Sequence, residues 1–204
     1  MTETTHPTPR LLAAGLDLET TGIDQTDGHR IIEIALAVYD LNTAARVGQF
    51  STRINPQRGI DPKAQAVHGI SFEELAGEPL WDAVAPKVSA ILGRCKYVVA
   101  HNGVGFDMPF LTGELMRAGH AAPYVGVVDT MLQARWATAD GALPNLGALC
   151  FACGVEYDKS KAHGAIYDVE VMMQCFFRQF SRGFFHLPAE PYVYKVPASR
   201  KEKK

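Results

Sequence analysis

The chain has 204 residues, 47% of them hydrophobic and 21% charged, a globular composition long enough to bury about 70% of its unfolded surface, which excludes disorder throughout. Its longest apolar run, Leu146 to Val155, is ten residues with two glycines, against about 18 for a membrane span, so neither a transmembrane helix nor a membrane partner is expected. The last ten residues hold five Lys/Arg and one Glu, leaving fifteen Lys/Arg against twenty-one Asp/Glu in the remainder, and a body that acidic holds a polyanion only through metal ions or a local patch.

Residues 1 to 10 carry Glu3, two prolines and no apolar stretch, so they read as a disordered lead-in rather than a secretory signal. A single folded body is expected from 11 to 185. Leu11 to Glu19, Ile31 to Asp40 and Val47 to Ile54 are β-rich segments joined by polar turns, which predicts a three-strand meander. Beyond Pro79 the pattern is helical to about Leu92, Tyr97 to Ala100 is a buried-type strand, Pro109 to Arg117 a helix and Val125 to Asp129 a short strand. Leu146, Leu149, Cys150 and Cys153, and then Ala165, Val169, Met172, Met173, Phe176 and Phe180, repeat at helical spacing. Strands first, then strands alternating with helices, predict an α/β fold: a mixed five-stranded sheet flanked by helices. Residues 186 to 204 form a Pro-containing basic tail.

Asp17 and Glu19 in LDLETTG are two apart on a strand and leave the same face. Ala13 and Gly15 on that face are small, while Leu12, Leu16 and Leu18 point the other way as core. A D-x-E arises by chance about 0.7 times in a chain of this length, so the pair alone reads as a solvated strand end. Asp107, in VVAHNGVGFDMPFL, falls at a helix start, where an acid already suits the macrodipole. Gly103 and Gly105 do not make a dinucleotide loop, because the third glycine position is Met108. His163 and Asp168 lie five apart, about 140° around a helix axis. They can meet only if Gly164 keeps His163 in a loop while Asp168 enters the helix. Taken alone, His163 reads as an ordinary surface or capping histidine. Cys150 and Cys153 form a C-x-x-C without a second pair and sit on an apolar stripe, which favours core packing over zinc or redox roles. Four cysteines in all make no disulfide scaffold and fit a reduced compartment, so a cytoplasmic protein is expected. No G-x-S-x-G elbow or phosphate-binding P-loop is present, which leaves serine hydrolase and NTPase readings unsupported.

In this order, LDLETTG, HNGVGFD and HGAIYD resemble the three motifs of the DEDDh (DnaQ-like) 3′→5′ exonuclease family, most of all its epsilon-type proofreading branch from bacterial DNA polymerase III. The likeness runs from about Leu11 to Arg182 and fills all five family positions: Asp17, Glu19, Asp107, His163 and Asp168. It implies the ribonuclease H-like fold, four carboxylates holding two divalent ions, Mg²⁺ or Mn²⁺, and His163 as general base. It further implies substrate contacts at Leu18, Thr20, Thr21, Asn102, Phe106 and the VHGIS loop with His68, Gly69 and Ile70. Val169 replaces a frequent alanine and puts tight helix packing in question. Four converging carboxylates need counter-charge to stay ionised. Hard oxygen donors select Mg²⁺ or Mn²⁺, and two such ions can clamp the attacking and leaving oxygens of a phosphoryl displacement. The expectation is release of 5′-mononucleotides from nucleic acid 3′ ends, single-stranded or frayed DNA favoured over RNA, in proofreading or repair. The alternatives are an RNA-trimming exoribonuclease and a catalytically silent polymerase-binding module. The tail, with Tyr192 and Tyr194 before five cationic residues, is either a solvated end, a grip on substrate phosphates, or a dock for a polymerase or other protein.

Overall fold

A computed structural model describes residues 9–195. Five strands form one sheet in the order β3-β2-β1-β4-β5: β1 (Leu12–Thr20), β2 (Ile31–Asp40), β3 (Ala45–Arg53), β4 (Tyr97–Ala100) and β5 (Gly126–Asp129). The first three are the expected meander, β1 pairing antiparallel with β2 and β2 with β3. β4 then lies parallel to β1, and β5 parallel to β4. The helices are α1 (Pro62–His68), α2 (Trp81–Leu92), α3 (Asp107–Arg117), α4 (Leu146–Cys153) and α5 (Ala165–Phe180). The sequence reading gave no helix at α1, yet its punctuation is conventional. The Asp61 carboxylate accepts from Lys63 N at 2.8 Å, Pro62 opens the helix, and Gly69 closes it at φ 73°, the usual cap, first-turn proline and left-handed terminator.

Both faces of the sheet are covered. Ala14, Leu16 and Leu18 of β1 join a core with α2 and α3, whereas Ala13 joins a second core with α4 and α5. The second packing is close because Gly15 has no side chain: a Cβ there would stand 2.8 Å from Met173 Cγ and 2.9 Å from Val169 Cγ1. The valine in place of alanine is thus accommodated opposite a glycine, and Val169 is fully buried. Cys150, Cys153 and Cys175 are free thiols in this second core, with the Sγ atoms of Cys150 and Cys175 3.7 Å apart, which agrees with the core reading of the C-x-x-C.

Residues 186–195, assigned to the tail, run along the body as far as they are described. Leu187 packs on the second core and Tyr192 on the first, Tyr192 N donates to Val125 O at 2.7 Å, and the Tyr194 hydroxyl donates to Gln25 Oε1 at 3.4 Å. This segment covers the edge of β5, the last strand of the sheet, where open backbone groups would otherwise invite pairing. Both tyrosines are thus engaged within the chain. The cationic residues after Lys195 and most of the lead-in lie outside the described residues. Among the described residues no helix is long and apolar enough to cross a membrane.

Candidate active site

The alternation of β1 puts Asp17 and Glu19 on one side at its C-terminal end, where Asp17 pairs with Ala35 and Glu19 with Glu33 on β2. A register shift between Glu19 and Thr20 ends the regular pairing. Two hydroxyls hold the chain where it leaves the strand. Thr20 Oγ1 donates to Gly22 O at 2.7 Å, and Thr21 Oγ1 accepts from Arg30 N at 3.0 Å. Asp107 is the first residue of α3 and is buried. Asp168 is in the first turn of α5 and also buried. His163 stands in the turn before α5 at φ 62°, with its backbone N–H donating to Asp168 Oδ2 at 2.8 Å. That bond ties the exposed histidine to the carboxylate, with His163 in a turn before the helix as expected, but Gly164 is extended at φ −96° and the left-handed turn falls on His163 itself. The bond also holds this left-handed backbone, uncommon outside glycine.

The electrostatics mark these acids as one group. Burial, then repulsion from Asp107, Glu19, Asp168 and Glu33, raises Asp17 well above the usual carboxylate range. Burial followed by Glu33, Asp168 and Asp107 pushes Glu19 up to about 8. Asp107 also rises to about 8, chiefly through burial, with its own backbone N–H opposing and Asp129 adding to the shift. Asp168 is raised by burial against the stabilising His163 amide and imidazole and the nearby Tyr157 hydroxyl. Its Oδ1 is buried without a hydrogen-bond partner. Among the described residues no three His, Cys, Asp or Glu side chains already form a closed ion cage. Hard, mutually repelling oxygen donors, one of them orphaned, are nevertheless what a divalent cation satisfies.

Two cavities flank the acids. A cleft of about 1020 Å³ is lined by Asp17, Asp168, His163 and Asn102, and a pocket of about 400 Å³ by Glu19, Thr20, His68 and Phe106. Asn102 takes φ 66° and is held by its N–H to Asp129 Oδ1 at 3.2 Å. In the smaller pocket His68 Nδ1 accepts from Ile70 N at 3.0 Å, leaving a buried Nε2 unpartnered, and burial lowers its pKa. Gly69 closes α1 and Ile70 is buried in a small cluster with Ile32 and Leu75. Two of the expected contacts turn away. The Leu18 side chain is in the first core, and the Thr21 hydroxyl is occupied by Arg30 N and lies 3.0 Å from His29 Nδ1. Alternation on the strand sends Leu18 to the face opposite the acids.

The sequence reading missed two residues of the site, Glu33 and Tyr157, and one acid that supports it, Asp129. Glu33 adds a fifth carboxylate, its Oε2 accepting from Ala165 N at 3.3 Å and its Oε1 3.7 Å from Arg53 Nε. Its signal was an acid inside the apolar run IIEIALAV, since buried glutamates are rare without partners. Asp129 ends β5 beneath the Asn102 loop, and Tyr157 lines the larger cleft.

A family model described as exonuclease matches residues 15–176. DNA polymerase III subunit epsilon from Rickettsia felis is 33% identical over 165 residues, 79% of this chain and 70% of that protein. The subunit from Pasteurella multocida is 34% identical over 179 residues, 84% and 68%, and that from Escherichia coli K12 31% over 169, 79% and 68%. In solved structures the fold matches E. coli exonuclease I in complex with a dT13 oligonucleotide (TM-score 0.72, 20% identity, 85% of this chain and 43% of that one) and apo exonuclease I (0.72, 19%, 86% and 44%). The chain thus spans about two-fifths of exonuclease I. Its five-stranded mixed sheet is that of the ribonuclease H-like fold. The chain belongs to the exonuclease family, similar to the epsilon subunits, and is a 3′→5′ exonuclease. That family works with divalent metal ions.

Proposed function

We propose that the chain releases 5′-mononucleotides from the 3′ ends of single-stranded or frayed DNA, with Asp17, Glu19, Asp107 and Asp168 holding two Mg²⁺ or Mn²⁺ ions and His163 acting as general base. The observation that carries this reading is the set of four neighbouring acids, all with raised pKa and one with an orphaned buried oxygen, beneath an exposed histidine. When bound, such ions would supply counter-charge and Lewis acidity for attack on a phosphodiester. The carboxylates fix where the scissile phosphate sits between the cleft and the pocket. The imidazole of His163 borders the same cleft as Asp17 and Asp168 and takes the proton of the attacking water, because imidazole exchanges protons near neutral pH. The bond that breaks joins phosphorus to the 3′ oxygen of the penultimate nucleotide. Glu19, His68 and Phe106 then enclose the terminal nucleotide. DNA as substrate and service with a polymerase are supported by relatives named as polymerase III subunits.

Matched 5′-labelled DNA and RNA oligonucleotides, digested with Mg²⁺ or Mn²⁺, test this. Stepwise shortening of DNA from the 3′ end, 5′-mononucleotide products and arrest by EDTA are expected. Cleavage of RNA alone would make the chain an exoribonuclease, and cleavage of neither strand would leave a silent binding module.

A further inference from the structure

The two cavities lie on either side of the acids. The pocket beside Glu19, about 400 Å³, is near the lower end of ligand-site volumes, about 300 to 1,000 Å³, and suits one nucleotide. The cleft beside Asp17, about 1020 Å³, is at the upper end and has room for more than one. If the terminal nucleotide takes the smaller space, the strand on the other side of the scissile phosphate must leave through the larger. The far wall of that cleft is α4 and the loop after it, with Leu146, Phe151 and Lys159 among its lining. Phe151 is 88% exposed, on a helix whose Leu149, Cys150 and Cys153 are buried in the second core. A lone exposed phenylalanine needs no explanation. This one lines the same cleft as two of the acids and shares it with an exposed lysine.

We propose that Phe151 and Lys159 form a subsite for the single strand upstream of the scissile phosphate, Phe151 as a platform on which a base stacks and Lys159 as a contact to a backbone phosphate. The subsite rests on the nuclease reading above and extends it from the reacting phosphate to the strand behind it. A flat aromatic face accepts any base, and each stack is worth about 1 to 3 kcal/mol, or about 5- to 150-fold in affinity. A cation there gives an acidic body a local hold on a polyanion, which bulk charge denies it.

The test is kcat/KM for single-stranded oligodeoxynucleotides from two to about ten nucleotides. In the natural chain kcat/KM should climb with length until the cleft is filled. Phe151→Ala should lose about 5- to 100-fold of that gain while the dinucleotide is affected least, and Phe151→Trp should restore it, which a merely structural role would not show. Lys159→Gln should flatten the log-log salt dependence of KM for the longest oligonucleotide by about 0.7, the share of one single-strand phosphate. The subsite is overturned if the natural chain shows no gain with length, if Phe151→Ala keeps the gain within twofold, or if dinucleotide and long strand fall equally. If the natural chain cleaves no oligonucleotide of any length, it is the nuclease reading that has failed, and the subsite falls with it.

Discussion

Two groups of buried acids lie near the same sheet and behave in opposite ways. Asp129 accepts four backbone N–H groups: Asn102 at 3.2 Å, Val104 at 2.9 Å, Met131 at 3.0 Å and Leu132 at 3.1 Å. Glu114 lies between Arg30, 2.6 Å away, and Arg117. Among the described residues, none of Asp17, Glu19, Asp107 and Asp168 forms an ion pair with a lysine or arginine. Burial is common to both groups, so burial does not mark the site. What marks it is charge left without compensation, which a fold tolerates only where something else is meant to bind. The satisfied acids build the frame: Asp129 pins the loop that leads to Asp107, and Glu114 ties α3 to the start of β2 through Arg30.

The largest effect that tests this contrast is on catalysis. Asp17→Asn removes a proposed ligand, and several kcal/mol of transition-state stabilisation corresponds to a loss of about 10⁴-fold in exonuclease kcat. His163→Ala should lose about 10³-fold, within the range for general bases, while keeping the rise in Tm that millimolar Mn²⁺ gives the natural chain. Ions that bind only the folded state stabilise it by mass action, so Asp17→Asn should lose most of that rise. Equal loss of the Mn²⁺ effect in both variants would make His163 a ligand rather than a base.

The next test compares stability without metal. Asp129→Ala strands several buried N–H groups and should cost about 3 kcal/mol, lowering Tm in EDTA by about 6 to 12 °C. Asp17→Asn removes a repelling charge and should raise Tm in EDTA. Shifts of the same sign in the two variants would erase the distinction between frame and site.

The strand alternation of LDLETTG was enough to put Asp17 and Glu19 on one face, because period-two geometry is a local property, but the pair, and His163 with Asp168, became a candidate site only through the three motifs together. Asp107 was legible only from its motif, since nothing local says that a helix start on β4's far side will face β1. α1 was missed although Asp61, Pro62 and Gly69 spell its ends, because with no buried residue it lacks the apolar stripe by which helices are read. Glu33 and Tyr157 were missed for a different reason. Their roles arise from pairing across β1 and β2 and from the docking of α4 beside α5, contacts between residues distant in sequence. The course of 186–195 was illegible for the same reason: a segment without periodicity is ordered by the edge it covers.

The last effect is on the pH dependence of stability, and it reports on the acids of the site. Glu19 and Asp107 sit at about 8 in the folded chain against about 4 when unfolded. Between those values the folded chain holds protons that the unfolded chain has released, so unfolding becomes easier as pH rises. Their contribution is fully present below about pH 4 and lost as pH climbs through about 8. In EDTA, Tm should fall by more than about 10 °C from pH 5 to pH 8, since each group contributes about 1.4 kcal/mol per pH unit in that window, and the raised Asp17 and Asp168 add to the fall. Divalent ions take the place of the protons, so the Tm gain from Mg²⁺ should be larger at pH 8 than at pH 5. Glu19→Gln removes one of the groups with a raised pKa and should flatten the EDTA profile. A Tm in EDTA that rises from pH 5 to pH 8 would mean that the acids of the site are compensated by the protein itself, and the contrast between the two groups would be lost.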